Sequence, residues 1–162
     1  MERTLVAVKP HAMDMPYNDI IRDLEIGIHE NDNFRNQVTK THARYIPSVP
    51  KEVWRKIYAE NLKKFDHFEE LLETDFDNQP SFVSVYKGEG IVKIVRNLAG
   101  PTQVLDNPKD TIRGKYGRLL LDKKGVARLS NGEEIYRNVI HATDETPGEF
   151  EREFNTFKPY LI

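Results

Sequence analysis

The sequence predicts an α+β sandwich of the ferredoxin-like type, an antiparallel four-stranded sheet covered by helices. Three observations lead there. Strand-like apolar runs fall at residues 4–9, 37–45, 81–88 and 138–143. Apolar residues recur at helical spacing in the stretches between and after them. No internal repeat, linker or low-complexity tract interrupts the 162 residues, so a single domain over 1–162 is expected.

The first strand, Thr4–Lys9, is stopped by Pro10, whose missing N–H cannot serve a ladder. Asn18 is a plausible N-cap for a helix carrying Ile20, Ile21, Leu24 and Ile28. A turn at 31–34 leads into an extended stretch over Gln37–Tyr45. Ser48, with Pro50 behind it, opens a helix bearing Val53, Ile57 and Tyr58 on one side. A second helical segment carries Phe65, Phe68, Leu71 and Leu72. After Pro80, Phe82, Ser84 and Tyr86 alternate with Val83 and Val85 as in a strand.

Gly88–Gly90 then turns into a helix with Ile91, Ile94, Val95 and Leu98 on one stripe, and Gly100 suits its C′ position. Residues 118–136 read as strand–turn–strand material, an extra hairpin-like insertion near 115–136 with a tight-turn signal at Asn131–Gly132. The 138–143 strand follows. A last helix from near Pro147 places Phe150, Phe154 and Phe157 at helical intervals.

Composition narrows the partner class. The formal net charge is −2, from 24 Lys and Arg against 26 Asp and Glu, so no broad basic field invites nucleic acid. A local cluster of cations could still hold a small anion. With no cysteine, disulfides and thiolate metal sites are excluded. The apolar run Leu5–Val8 is too short for a signal segment or membrane span. A cytoplasmic protein is expected, with no membrane partner.

His141 sits between the apolar pair Val139–Ile140 and the polar stretch that follows. It either closes a strand at the core's edge or is aimed by that strand. Lys9, at the end of the first strand, is an ordinary solvated lysine or a cation reaching into a cleft. Arg96 is an exposed helix arginine or a phosphate ligand. Thr102, in AGPTQ, stabilises a turn or donates to an anionic oxygen. Arg113, in TIRG, offers a fixed fork of donors beside a glycine that lets backbone approach a ligand. Together these five make a credible phosphate clamp, but spacing alone does not show that they converge.

Four stretches in order, TLVAVKP, Arg96 with AGPT, DTIRG and NVIHATDE, resemble the signature of nucleoside diphosphate kinases. That signature reads roughly TL-x-x-x-KP, R-x-x-x-G-x-T, GTIRG and N-x-[IV]-H-G-S-D, and the resemblance covers essentially the whole chain. It implies ping-pong transfer of the γ-phosphate from ATP or another nucleoside triphosphate to a nucleoside diphosphate through a phosphohistidine. His141 matches the nucleophile, a role that suits imidazole because its free pKa of about 6.5 leaves it neutral near physiological pH.

Glu153 matches the acidic residue that orients the imidazole, with Glu149 or Glu151 as alternatives if a gap is misplaced. Tyr58 matches a tyrosine near the histidine, although by itself it reads as a core aromatic. Lys9, Arg96, Thr102 and Arg113 match the phosphate-holding positions. Asn138 matches the residue that meets the sugar hydroxyls, a task Lys9 could share. Phe68 is the best match for the aromatic that stacks on the base, and Phe65 is the alternative. The resemblance also implies Mg²⁺ riding on the nucleotide phosphates, with no protein cage. It suggests a homo-oligomer, a hexamer before a tetramer or dimer.

The chain departs from the family pattern in several places. His11 stands where an aspartate usually follows KP, and Met15 replaces a familiar arginine. Ala142, Thr143 and Glu145 replace Gly, Ser and Ser after the histidine. Arg113 and Asn138 are 25 residues apart, longer than usual. The insertion should therefore lie near the cleft, where it could gate the site, alter the base pocket or remodel a subunit interface. Three rival readings remain: a catalytically silent nucleotide-binding relative, a ferredoxin-like RNA-binding module, and a metal hydrolase centred on His141 and Asp144.

Overall fold

The computed structural model describes residues 1–31, 37–64, 68–102, 107–128, 130, 132 and 134–162. Strand β1 (Glu2–Val8) is central because it is apolar on both faces. Its Leu5 and Ala7 join one hydrophobic cluster while Val6 and Val8 join another, as the two-residue strand period requires. The sheet order is β2 (Thr39–Val49), β3 (Gln79–Gly88), β1, β8 (Ile140–Ala142), with every neighbouring pair antiparallel. This is the ferredoxin-like arrangement expected from the element order.

Helices α1 (Tyr17–Asn31) and α5 (Ile91–Ala99) cover the face bearing Val6 and Val8, burying Ile20, Leu24, Ile28, Ile91 and Val95. The other face is covered by α2 (Lys51–Ile57) and α7 (Glu149–Leu161). There Trp54 and Phe157 are fully buried with their rings edge to face, 5.6 Å apart. Between α2 and β3 the chain makes two short helices, α3 (Ala59–Lys64) and α4 (Phe68–Leu71), then a widened π-helical turn, Leu72–Phe76. That turn buries Leu72 and Phe76 in the same core and leaves Asp75 beside the site.

Three local expectations change. Asn18 lies inside the first turn of α1 and not at its cap, since the helix already starts at Tyr17. Ser48 still belongs to β2, and Pro50 is the residue before α2, where its missing N–H is harmless. The last strand is three residues long and not six, because Val139 has φ +62° and breaks the ladder before Ile140. The expected turn at 32–34, Phe65, Gln103 and Asn131 lie outside the described residues.

The insertion follows a five-residue helix, α6 (Ile112–Tyr116), capped by the Thr111 hydroxyl, which accepts from Gly114 N–H. It contains β4 (Arg118–Leu119) paired with β7 (Tyr136–Arg137), and β5 (Leu121–Asp122) paired with β6 (Gly125–Val126). One ring of backbone bonds ties its three runs together. Leu120 N–H donates to Ile135, Ala127 to Leu120, and Ile135 to Ala127, at 2.7–3.0 Å. Its end packs on the π-helical turn through Arg137, which grips Asp75 with two bonds of 2.8 and 3.1 Å.

Candidate active site

The site lies where β1 and β8 run side by side, with Ala7 opposite His141. The His141 side chain is only 12% exposed, and its Nε2 lies 2.7 Å from Glu153 Oε1. A carboxylate only accepts, so Nε2 carries the proton and Nδ1 the lone pair. Glu153 is 1% exposed, and its second oxygen accepts the Thr143 hydroxyl at 2.6 Å. That hydroxyl in turn accepts from Leu5 N–H at 2.9 Å. The imidazole is thus anchored, through carboxylate and threonine, to the backbone of the central strand. Glu149 and Glu151 are engaged elsewhere, with Arg152 and Arg3.

Tyr58 stands edge-on to the imidazole at 5.4 Å, and Lys9 Nζ lies 5.3 Å from the centre of the Tyr58 ring. Lys9 also donates to Asn138 Oδ1 at 2.5 Å, and the Asn138 amide donates to Thr102 carbonyl at 2.9 Å. Burial, followed by repulsion from Arg113, pushes the Lys9 pKa well below its ordinary value. Burial likewise lowers that of Arg113, with Arg96 adding to the effect. Arg113 bonds the carbonyls of Gly100 and Ile140 at 2.8 and 2.9 Å, while its buried Nε is unpaired. The buried Tyr58 hydroxyl is also unpaired, and burial drives its pKa up.

Arg113 reaches back to the Gly100 carbonyl, and the glycines at both ends of that contact sit in close quarters. Gly100 has φ +86°, and a Cβ there would lie 2.0 Å from Asn107 Oδ1. A Cβ on Gly114 would meet the Pro108 carbonyl at 1.9 Å, so neither position admits a side chain.

Of the nine sequence-expected residues, His141, Glu153, Tyr58, Lys9, Asn138 and Arg113 form one connected cluster. Thr102 joins it through its carbonyl; its side chain is exposed. Arg96 is exposed on α5, within electrostatic reach of Arg113 and Asp144. Phe68 packs on Tyr58 at 5.2 Å, at the rim of the cluster. Thr143 entered the sequence reading only as a departure from the family pattern. Its spacing of two from His141 on a strand was the available signal, since alternate residues share a face.

Val139 is a further constraint that the sequence hides. Ile140 N–H bonds the Asn138 carbonyl at 2.8 Å, making a γ-turn centred on Val139. Positive φ at a β-branched residue is a strained geometry costing about 1–3 kcal/mol, and such strain clusters at functional sites.

An imidazole with one nitrogen left unprotonated, beside desolvated cations that have no carboxylate partner among the described residues, suits an anionic ligand. Comparison with known proteins narrows that class. The family model described as nucleoside diphosphate kinase matches residues 2–159. A nucleoside diphosphate kinase of Thermococcus kodakarensis is 34% identical over 98% of this chain and 78% of its own length. One from Natronomonas pharaonis is 30% identical over 96% and 85%. The solved structure of the Halobacterium salinarum nucleoside diphosphate kinase in complex with CDP superposes with a TM-score of 0.71 at 28% identity, covering 96% of this chain and 86% of that one.

The chain belongs to the nucleoside diphosphate kinase family. It is a phosphotransferase acting on nucleotides, in a family whose reaction requires a divalent metal. Among the described residues no helix is long and apolar enough to cross a membrane.

Proposed function

We propose that His141 carries the phosphoryl group in a ping-pong exchange between nucleoside tri- and diphosphates. In the first half, the Nδ1 lone pair attacks the γ-phosphorus. The P–O bond to the bridging oxygen breaks, and the nucleoside diphosphate leaves with that electron pair. A terminal oxygen of a second diphosphate then attacks the phosphohistidine and restores the imidazole. Glu153 keeps the Nε2 proton in place and stabilises the positive charge that develops on the ring. The observation carrying this reading is the His141–Glu153 bond beside Lys9 and Arg113, which have no carboxylate partner among the described residues.

Lys9, Arg96, Thr102 and Arg113 hold the phosphates, since cations desolvated beside each other are best balanced by a polyanion. Asn138, with Lys9, meets the sugar hydroxyls, Phe68 stacks on the base, and Tyr58 walls the imidazole. A divalent cation fits as a guest of the phosphates. Among the described residues no three His, Cys, Asp or Glu side chains converge to hold one. Mg²⁺ is the ion we propose, and it neutralises phosphate charge. We further propose that 1–162 acts as one domain, in the cytoplasm, as a homo-oligomer with a hexamer favoured.

Incubation of the protein with γ-labelled ATP and Mg²⁺ is expected to yield an acid-labile, base-stable phosphoprotein, and His141→Ala is expected to abolish it. A wild-type protein that binds ATP and stays unlabelled would favour the catalytically silent relative.

A further inference from the structure

His11 stands where the family usually has aspartate, and its surroundings give it a specific task. Its side chain is only 4% exposed, and its Nε2 accepts the N–H of Val139 at 3.2 Å. The carbonyl of the same residue accepts Lys9 N–H at 2.8 Å. Val139 is therefore clamped on both sides by the turn that follows β1, from residues 128 and 130 positions away in the chain. Because Val139 is the strained centre of the γ-turn, and His141 follows two residues later, this clamp fixes where the imidazole starts.

We propose that His11 is a positioning residue for the nucleophile: its Nε2 lone pair holds the Val139 amide and thereby the turn that aims His141. Accepting at Nε2 places the ring proton on Nδ1, which points toward Asp75 Oδ2 at 3.9 Å without a closer partner. Asp75 is itself gripped by Arg137, the residue just before Asn138. Lys9, Arg137 and Arg118 all lie near enough to oppose a positive charge on the ring, and Asp75 is the acid facing it. An imidazole supplies the acceptor without adding a second carboxylate beside Asp75, which is the physical gain over aspartate here.

The inference rests on the phosphotransfer reading for its kinetic arm only. The two substitutions to compare are His11→Gln, whose side-chain oxygen reaches the Nε2 position, and His11→Leu, which fills the space without accepting. His11→Leu is expected to lower kcat roughly tenfold to a hundredfold with KM for nucleotide within about twofold, because a small misplacement of the nucleophile leaves the phosphate clamp intact. His11→Gln is expected to recover kcat to within about threefold of wild type.

Equal losses in the two variants, or a His11→Leu enzyme with wild-type kcat, would overturn the assignment. Independently of turnover, ¹⁵N NMR of the wild-type ring is expected to show the Nδ1–H tautomer, unchanged between about pH 5 and pH 8 where free histidine titrates. An Nε2–H tautomer or a charged ring in that range also overturns it. Should His11→Leu fail to fold, the tautomer and the His11→Gln rate decide. A protein never phosphorylated but showing the expected tautomer would sink the phosphotransfer reading and leave the clamp standing.

Discussion

The two halves of the pocket are built on opposite principles. On the β8 side, Leu5, Thr143, Glu153 and His141 form a closed chain of hydrogen bonds that needs no ligand. On the loop side, Lys9 and Arg113 are buried next to each other, their pKa values depressed, and Arg113 Nε has no partner. One half is complete in itself; the other, in the function proposed above, is completed by the anion that arrives. With His141 as the proposed nucleophile and these cations as the proposed clamp, preorganisation and unmet demand together turn binding free energy toward the reacting phosphorus.

This contrast is open to attack by mutation. The largest expected effect is from Arg113→Ala, which should lower kcat/KM on the order of a thousandfold, by analogy with the loss of a transition-state arginine. Steady-state kinetics measure it, and a loss under tenfold would break the division of labour. Glu153→Gln should lower kcat about a hundredfold and also destabilise the protein by roughly 1–3 kcal/mol, since it disturbs a buried network. Denaturant unfolding in the absence of nucleotide reads the second part.

Lys9→Met is expected to behave differently: activity falls, but ligand-free stability holds or rises, because an uncompensated buried cation is removed. Nucleoside diphosphate at a hundred times its Kd should stabilise wild type by about 2.7 kcal/mol, and the same concentration should stabilise Lys9→Met far less.

The smallest effect concerns pH. Burial, with Lys9, Arg137 and Arg118 nearby, lowers the His11 pKa to about 2. Because the unfolded chain takes up a proton near pH 6.5 and the folded one does not, stability is complete above that pH and declines as the solution is acidified. The His11 contribution to that decline is up to about 1.4 kcal/mol per pH unit. Unfolding measured between about pH 6.5 and pH 4.5 should show a shallower decline for His11→Gln than for wild type.

The fold was legible because its carriers are local. The alternation in 81–88 and the helical stripe Ile91, Val95 and Leu98 each depend on a few neighbouring residues. The site was legible in part for another reason: His141, Lys9, Arg96 and Arg113 sit inside short stretches whose order is distinctive. What stayed hidden depends on distant contacts. Nothing near His11 reveals that its ring meets an amide 128 residues on. Nothing in the letters Asn138–Val139–Ile140 announces a γ-turn, since valine ordinarily favours the extended strand that was expected there. Nothing in the letters LLETDF sets Asp75 apart from the other acid there; the π-helical turn brings it to Arg137.

The insertion, finally, is built as a detachable piece. Arg118 and Arg137 are direct partners across the β4–β7 pair, so the chain departs and returns at nearly the same point. The ring of bonds joining Leu120, Ala127 and Ile135 satisfies that layer from within. A shorter bridge between Gly117 and Arg137 would have little distance to span and would leave Arg137 its hold on Asp75. The segment thus leaves and rejoins the rest of the chain at one strand pair, so another loop whose ends meet at that pair has the same short gap to bridge.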